Sequence, residues 1–154
     1  MSTSSEDLQQ PIVVGVDGSP SGGQALSWAL RQARLTGAPV RAVTVWHQPG
    51  LNPYSPVPTP IVTPLPDLES EAADTLSKAV AAAGDEPGAR VEQRVLEGHP
   101  AAVLLDQAAA AGLLVVGSRG HGAVTGMLLG SVSSHCVSHA PCPVVVVPAA
   151  AADR

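Results

Sequence analysis

Short apolar runs recur along the chain and predict five β-strands. Each run has four to seven residues and lacks helical periodicity, which is typical of parallel strands that are covered on both faces. In the third run apolar and polar residues alternate, so this strand is predicted to be less covered than the others. The five runs are 12–16, 40–46, 90–96, 113–116 and 144–147.

Apolar residues at helical spacing separate these runs and predict four helices. The first helix is predicted to begin with Ser21 as its N-cap and Gln24 at the third helical position, which is a capping-box pattern. In the fourth helix, Val132, Cys136 and Val137 are predicted to face the core. With Asp, Pro and Gly residues as start and stop signals, the helices are predicted over 22–36, 67–83, 100–112 and 130–139.

The alternation of strands and helices predicts the fold class. Strands that are joined through helices are parallel, and their crossovers are right-handed. We therefore expect an α/β fold with an open, Rossmann-like, five-stranded parallel sheet and helices on both faces. A chain of 154 residues suits one domain, predicted over 11–148, with a flexible N-terminal tail at 1–10 and a C-terminal tail at 149–154.

A proline-rich segment, 47–66, interrupts this alternation. It contains seven prolines, which exclude a regular helix or a central strand. Long loops of this kind are either lids over a ligand or inert excursions. The apolar residues of the segment, Tyr54 among them, favour a lid, because an inert linker is usually more polar.

Composition and charge exclude several classes of function. The net charge is −5, the eight basic residues are scattered, and only 2% of the residues are aromatic. Nucleic-acid binding needs a basic surface or stacking aromatics, and membrane-surface binding needs a basic cluster, so neither partner is expected. The polar N-terminus does not resemble a signal peptide, and no apolar run approaches the roughly 20 residues that span a bilayer. We therefore expect a cytoplasmic protein.

The two cysteines give only weak support for a metal site. Cys136 and Cys142 lie six positions apart, with His139 between them. These three side chains are potential zinc ligands, but a structural zinc site needs four, and no second pair is spaced to complete it. Reduced, partly buried thiols are the favoured interpretation.

The most informative segment is the glycine-rich stretch 117–131. In an open α/β sheet, ligands bind beyond the carboxyl ends of the strands, where the strand order switches. A glycine loop that leads into a helix N-terminus collects free amide groups, which suits an anion such as phosphate. The Walker pattern is absent because the only lysine lies in the second helix, and Arg119 is the only arginine in the stretch. A loop that merely changes direction is the alternative.

Three ordered motifs resemble the universal stress protein family. The pattern Gly117-x2-Gly120-x9-Gly130-Ser131 resembles the nucleotide-binding motif of the ATP-binding branch. Residues 12–29 and 130–147 are similar to the beginning and the end of the same family. Together the motifs cover about residues 11–148, and the resemblance implies a strand order of 3-2-1-4-5 with ATP across the switch point.

The resemblance also implies roles for individual residues. Asp17, at the end of the first strand, would lie by the ribose and by any metal, here Mg²⁺ held through the nucleotide. Val45 would meet the adenine through its backbone, and Val116 and Gly117 would flank the nucleotide. The residues that would hold the phosphates are Gly120, Gly130, Ser131 and Val132, and Arg119 is counted with them inside the motif.

These observations together predict a regulator that binds ATP and forms a homodimer through the apolar strand at 144–147. No paired carboxylates and no nucleophile-elbow pattern are evident, so no catalytic residue is assigned. An enzyme, either a slow ATPase or a phosphotransferase, would need a base, for which His99 and His121 are the candidates. A nucleotide-free dimeric interaction protein is a further alternative, and ADP, AMP and cyclic nucleotides are alternatives to ATP.

Overall fold

Five strands and four helices alternate along the chain in a computed structural model that describes residues 10–48, 67–84, 88–120 and 128–149. Tyr54, His121 and most of both predicted tails lie outside the described residues. None of the described helices is both long and apolar enough to cross a bilayer. The elements are β1 (Ile12–Gly15), α1 (Pro20–Thr36), β2 (Val40–Trp46), α2 (Leu68–Ala83), β3 (Val91–Glu97), α3 (Pro100–Ala108), β4 (Leu113–Gly117), α4 (Ser131–His139) and β5 (Val144–Val147).

The strands form one parallel sheet in the order β3-β2-β1-β4-β5. β1 pairs with both β2 and β4, so the chain crosses from one side of β1 to the other after β3. This confirms the predicted fold class and the strand order that the family resemblance implies. Because the order reverses between β1 and β4, the connections leaving these two strands diverge and open a crevice at the carboxyl edge.

Helices cover the sheet on both faces and divide the core into two clusters. α1 and α2 cover one face, where Leu26, Leu30 and Leu76 pack against Val14 and Val115. Adjacent residues of one strand belong to different clusters, because successive side chains of a strand point to opposite faces. The cluster under α3 and α4 includes Val13, Val43, Leu104, Leu114 and Cys136.

α1 begins two residues earlier than the capping-box pattern predicts. Its N-cap is Ser19, whose Oγ accepts a hydrogen bond from the Gly22 amide at 3.2 Å, and Pro20 occupies the first helical turn. Proline favours this position because its fixed φ is already helical and its missing amide has no partner there. The prediction of Ser21 as the N-cap was therefore wrong, and Ser21 is a buried helical residue instead.

The other helices differ from the predictions chiefly at the end of α3 and at one side chain of α4, while α2 and α4 each begin one residue later than predicted. α3 ends at Ala108, earlier than predicted, because the next residues form a turn in which the Ala111 amide donates to the Ala108 carbonyl oxygen at 3.0 Å. Cys136 is fully buried and Val132 packs against the second cluster, but Val137 is 50% exposed. The prediction that Val137 faces the core was wrong, because it lies about 100° around the helix from Cys136.

The bounds of three strands differ from the predictions by single residues. β1 ends at Gly15, β4 extends to Gly117, and β3 is shifted by one residue to Val91–Glu97. β3 is the edge strand on one side, and each of its residues is either exposed or half-buried. The prediction that it is less covered is confirmed.

Candidate functional site

A cleft of about 350 Å³ opens at the carboxyl edge of the sheet, where the strand order reverses between β1 and β4. We call it the switch-point cleft. Its walls come from the ends of β1, β2 and β4, from the first turns of α1, α3 and α4, and from the residues that follow β4. All nine residues of the predicted nucleotide site line it: Asp17, Val45, Val116, Gly117, Arg119, Gly120, Gly130, Ser131 and Val132.

Asp17 is held in place by the turn between β1 and α1. Its Oδ1 accepts hydrogen bonds from the Ser19 amide at 2.9 Å and from Ser19 Oγ, and Gly18 supplies the turn with a φ of 82°. The other carboxylate oxygen faces Gly120, where a built Cβ would lie 2.6 Å from Asp17 Oδ2. Asp17 therefore presents one fixed carboxylate between the start of α1 and the residues after β4.

Ser21 joins the start of α1 to the backbone that follows β4. Its Oγ donates to the Arg119 carbonyl oxygen and lies 3.4 Å from the Arg119 amide. Gly117 lies against the same turn, so that a Cβ built there would be 2.7 Å from Ser21 C and 2.8 Å from Gly22 N. The two walls of the cleft are thus in contact at its floor, and only glycine at position 117 permits this approach.

The first turn of α4 forms the polar end of the cleft. The Gly130 amide donates to the Ser118 carbonyl oxygen at 2.7 Å, and Ser133 Oγ donates to the same oxygen at 3.0 Å. The N-cap residue of α4 is Gly130, so no side chain caps this helix. The amides of Ser131 and Val132 therefore have no partner within the helix, and such amides attract an anion.

The opposite wall of the cleft is apolar. Val45 at the end of β2, Val116 in β4 and Leu104 of α3 belong to one apolar cluster and line the cleft, and Pro100 of α3 lines it as well. Pro100 opens α3 at its first turn, which places this helix start beside the end of β2. The cleft therefore has one apolar side and one side rich in amides and hydroxyls, a combination that suits a ligand with a flat apolar ring and an anionic group.

Motif reasoning missed part of the lining. Ser19 and Gly22 were missed because α1 was predicted to start later, and Leu104 because its helix face was not assigned to the cleft. A serine followed by proline at 19–20 is the signal that would have identified the true helix start. No sequence signal marks Leu104 as a cleft residue, since any amphipathic helix that packs on a sheet has buried leucines.

The charged groups of the cleft are few. Among the lining residues that the structure describes, Arg119 is the only cation and Asp17 the only carboxylate. His99 precedes α3 and is exposed, with its ring 6.0 Å from that of His47, but neither histidine lines the cleft. Of the two candidates for the base that an enzymatic function would need, His99 does not line the cleft, and His121 lies outside the described residues.

The cysteines and His139 do not form a common site. Cys136 faces the core and burial raises the pKa of its thiol. Burial also raises the pKa of the Cys142 thiol, and a hydrogen bond with the Leu114 backbone opposes this. In the described part of the chain, no three His, Cys, Asp or Glu side chains are arranged to hold one metal ion.

Comparison with known proteins identifies the family. The family profile described as "Universal stress protein family" matches residues 9–148. The chain belongs to the universal stress protein family. A universal stress protein of Mycolicibacterium smegmatis is 38% identical over 142 residues, which are 92% of this chain and 46% of that protein. The chain thus spans about half the length of the curated relatives it matches.

Solved structures of other universal stress proteins share the fold. The protein from Archaeoglobus fulgidus in complex with dAMP is 28% identical, with a TM-score of 0.64, over 91% of this chain and 98% of that one. A universal stress protein in complex with cAMP is 28% identical, with a TM-score of 0.62, over 92% of this chain and 98% of that one. Both of these structures contain an adenine nucleotide.

Proposed function

We propose that this universal stress protein binds ATP in the switch-point cleft and acts as a nucleotide-binding regulatory module of the stress response. The observation that carries the proposal is the assembly of all nine residues of the motif-derived site around one cleft of about 350 Å³. The adenine nucleotides in two structural neighbours support it. The cytoplasmic location stays a prediction from the sequence.

The two sides of the cleft suit the two ends of a nucleotide. The apolar wall of Val45, Pro100 and Leu104 matches an adenine ring, which the Val45 backbone would contact at its edge. The phosphates would lie against the first turn of α4, where Gly130 and Ser131 supply amides and a hydroxyl. Since both ends lie in one continuous cleft, a single ligand can occupy them together.

The charges of the cleft favour a nucleotide that brings a cation with it. A triphosphate is strongly anionic, and Arg119 is the only basic side chain among the described residues that line the cleft. Asp17, whose carboxylate is fixed by Ser19, stands beside Gly120 and would repel a bare phosphate. Mg²⁺ between Asp17 and the phosphates would remove this repulsion, and carboxylate and phosphate oxygens are the ligands that Mg²⁺ takes.

We further propose that the domain forms a homodimer through β5. The two edges of the sheet differ, because β3 carries Glu92 and Arg94, whereas β5 consists of four half-buried valines. Charged side chains protect an edge from pairing, and an apolar edge strand invites it. If the β5 strands of two copies pair antiparallel about a two-fold axis, each covers the apolar edge of the other.

The variant Gly130→Val tests the nucleotide site. A Cβ at Gly130 would have its nearest neighbours at 3.5 Å and the backbone φ is −74°, so the fold accepts a side chain there. The branched side chain would instead occupy the space in which phosphate meets the α4 amides. We expect the dissociation constant for ATP to rise at least about tenfold, or about 1.4 kcal/mol, with unchanged circular dichroism.

Titration calorimetry with ATP, ADP, AMP and cAMP, each with and without Mg²⁺, measures this effect. Gly23→Val is the matched control, because Gly23 lies in α1 outside the cleft and a Cβ there meets nothing within 4 Å. The proposal fails if the unmodified chain binds none of these nucleotides, or if Gly130→Val binds ATP as the control does.

A further inference from the structure

The outer face of α4 carries two imidazole rings one helical turn apart. His135 and His139 are both exposed, and their ring centroids lie 4.3 Å apart with an angle of 23° between the planes. Side chains four positions apart lie on the same face of a helix. Cys136 lies between them in sequence but is fully buried in the core, so its thiol does not share their exposed surface.

A backbone contact fixes the chemistry of the second ring. His139 Nδ1 lies 3.0 Å from the His135 carbonyl oxygen. A carbonyl oxygen carries no proton, so Nδ1 must be the donor, and in the neutral ring the lone pair is then on Nε2. Metal-bound histidines commonly have this arrangement, in which one ring nitrogen donates to a backbone carbonyl and the other binds the ion.

We propose that His135 and His139 form a two-ligand binding site for a divalent transition-metal ion of the class Ni²⁺, Cu²⁺ or Zn²⁺. Imidazole nitrogen is a preferred ligand of these ions. Two nitrogens on one such ion lie about 3.0–3.4 Å apart when each metal–nitrogen bond is about 2.0–2.1 Å. Stacked rings direct their in-plane lone pairs nearly parallel, so these two exposed rings, whose centroids are 4.3 Å apart, must rotate about their side-chain bonds to point two nitrogens at one ion.

The residues around His135 and His139 determine how many protein ligands the metal ion would have. In the described part of the chain no third His, Cys, Asp or Glu completes a cluster with these two rings, so water would occupy the remaining coordination positions. Such a site exchanges its ion with solution and differs from a closed structural zinc site, which has four protein ligands. An ion that joins two successive turns of α4 also stabilises this nine-residue helix.

Calorimetric titration of the full chain, without a polyhistidine tag, with NiCl₂ tests the proposal. We expect one ion per chain, and an affinity at least about tenfold weaker in His135→Gln and in His139→Gln. The matched control is His99→Gln, which removes an exposed imidazole from the other, more separated histidine pair. Its affinity for Ni²⁺ should equal that of the unmodified chain.

A second measurement needs no variant and covers the case in which a substitution disturbs α4. Paramagnetic Cu²⁺ added to ¹⁵N-labelled protein should broaden the amide signals around His135 and His139 first. Broadening that begins instead around His47 and His99 overturns the proposal. Ni²⁺ binding that is equally strong in the unmodified chain, His135→Gln and His139→Gln overturns it as well.

Discussion

At the scale of single residues, the glycines of the switch-point cleft have different physical reasons to be glycine. Gly117 lies so close to the start of α1 that a Cβ would meet backbone atoms within 3 Å. Gly120 would meet only the Asp17 carboxylate, and Gly130 would meet nothing closer than 3.5 Å. One glycine is therefore needed by the fold and another leaves space that a ligand can use, although the motif alone does not distinguish them.

Gly117→Ala is expected to destabilise the domain by about 1–3 kcal/mol, because the added methyl group collides with the backbone of Ser21 and Gly22. Urea unfolding measures the change. Gly23→Ala serves as the comparison, since Gly23 is helical with open space around it and alanine there should raise stability by up to about 1 kcal/mol. Equal stability of Gly117→Ala and the unmodified chain would show that the two walls are not in contact.

Asp17→Asn separates the proposed metal role of Asp17 from its structural role. The asparagine Oδ1 can still accept from the Ser19 amide, so the turn is retained. We expect ATP binding in Mg²⁺ to weaken by about tenfold, and ATP binding in EDTA to be unchanged or stronger because the repelling charge is gone. Asp74→Asn, an exposed substitution in α2, is the control. Equal losses with and without Mg²⁺ would contradict a metal role for Asp17.

At the scale of elements, the start of α1 connects helix stability to the shape of the cleft. Ser19 caps the helix through Gly22 and also fixes Asp17, so one hydroxyl group serves both. The N-terminus of α1 therefore fixes the position of Asp17 on this side of the cleft.

Ser19→Ala should lower the free energy of unfolding by about 1 kcal/mol through loss of the cap. It should also weaken ATP binding, because Asp17 loses the hydroxyl partner that orients it. Chemical unfolding and calorimetry check the two effects. Ser134→Ala replaces an exposed helical serine in α4 and should leave both values within about 0.5 kcal/mol of the unmodified chain.

How well the sequence predicts an element depends on whether neighbouring residues or contacts from elsewhere in the fold determine it. All five strands were predicted because buried parallel strands are short apolar runs, and the bounds of β2 and β5 agree residue by residue. The predicted start of α1 was wrong because two serines compete as N-cap, and the proline that follows Ser19 decides between them. The apolar wall at Leu104 was missed because its position depends on the strand order, which periodicity does not contain.

At the scale of the whole molecule, the open edge of β5 would determine how two copies pair in the proposed dimer. The carbonyl oxygens of Pro143 and Val147 accept from Leu114 and Ser118 of the β4 side. Alternate residues of a strand direct their backbone groups to opposite sides, so Val144 and Val146 direct theirs to the open edge. Pro148, at the next position of that side, has no amide to donate and ends the pairing surface.

Val146→Pro should abolish the proposed dimer while the monomer stays folded, because the lost amide points away from β4. Val145→Pro is the matched control, since its amide points to the β4 ladder and its loss should destabilise the monomer itself. Light scattering at tens of micromolar gives the mass, and thermal unfolding gives the stability. A monomeric mass for the unmodified chain would disprove dimerisation through β5.

The two walls of the switch-point cleft are joined by hydrogen bonds between residues 98 and 100 positions apart in the chain. Contacts of such long sequence separation form late, since a large loop must close before they contribute. During synthesis on a ribosome, the segment from β1 to β3 emerges before β4 and α4. This segment can collapse before the switch-point cleft has formed. Nucleotide would then bind only those molecules in which the sheet is complete. A nucleotide present during folding experiments should therefore lower the unfolding rate and leave the rate of the early folding steps unchanged.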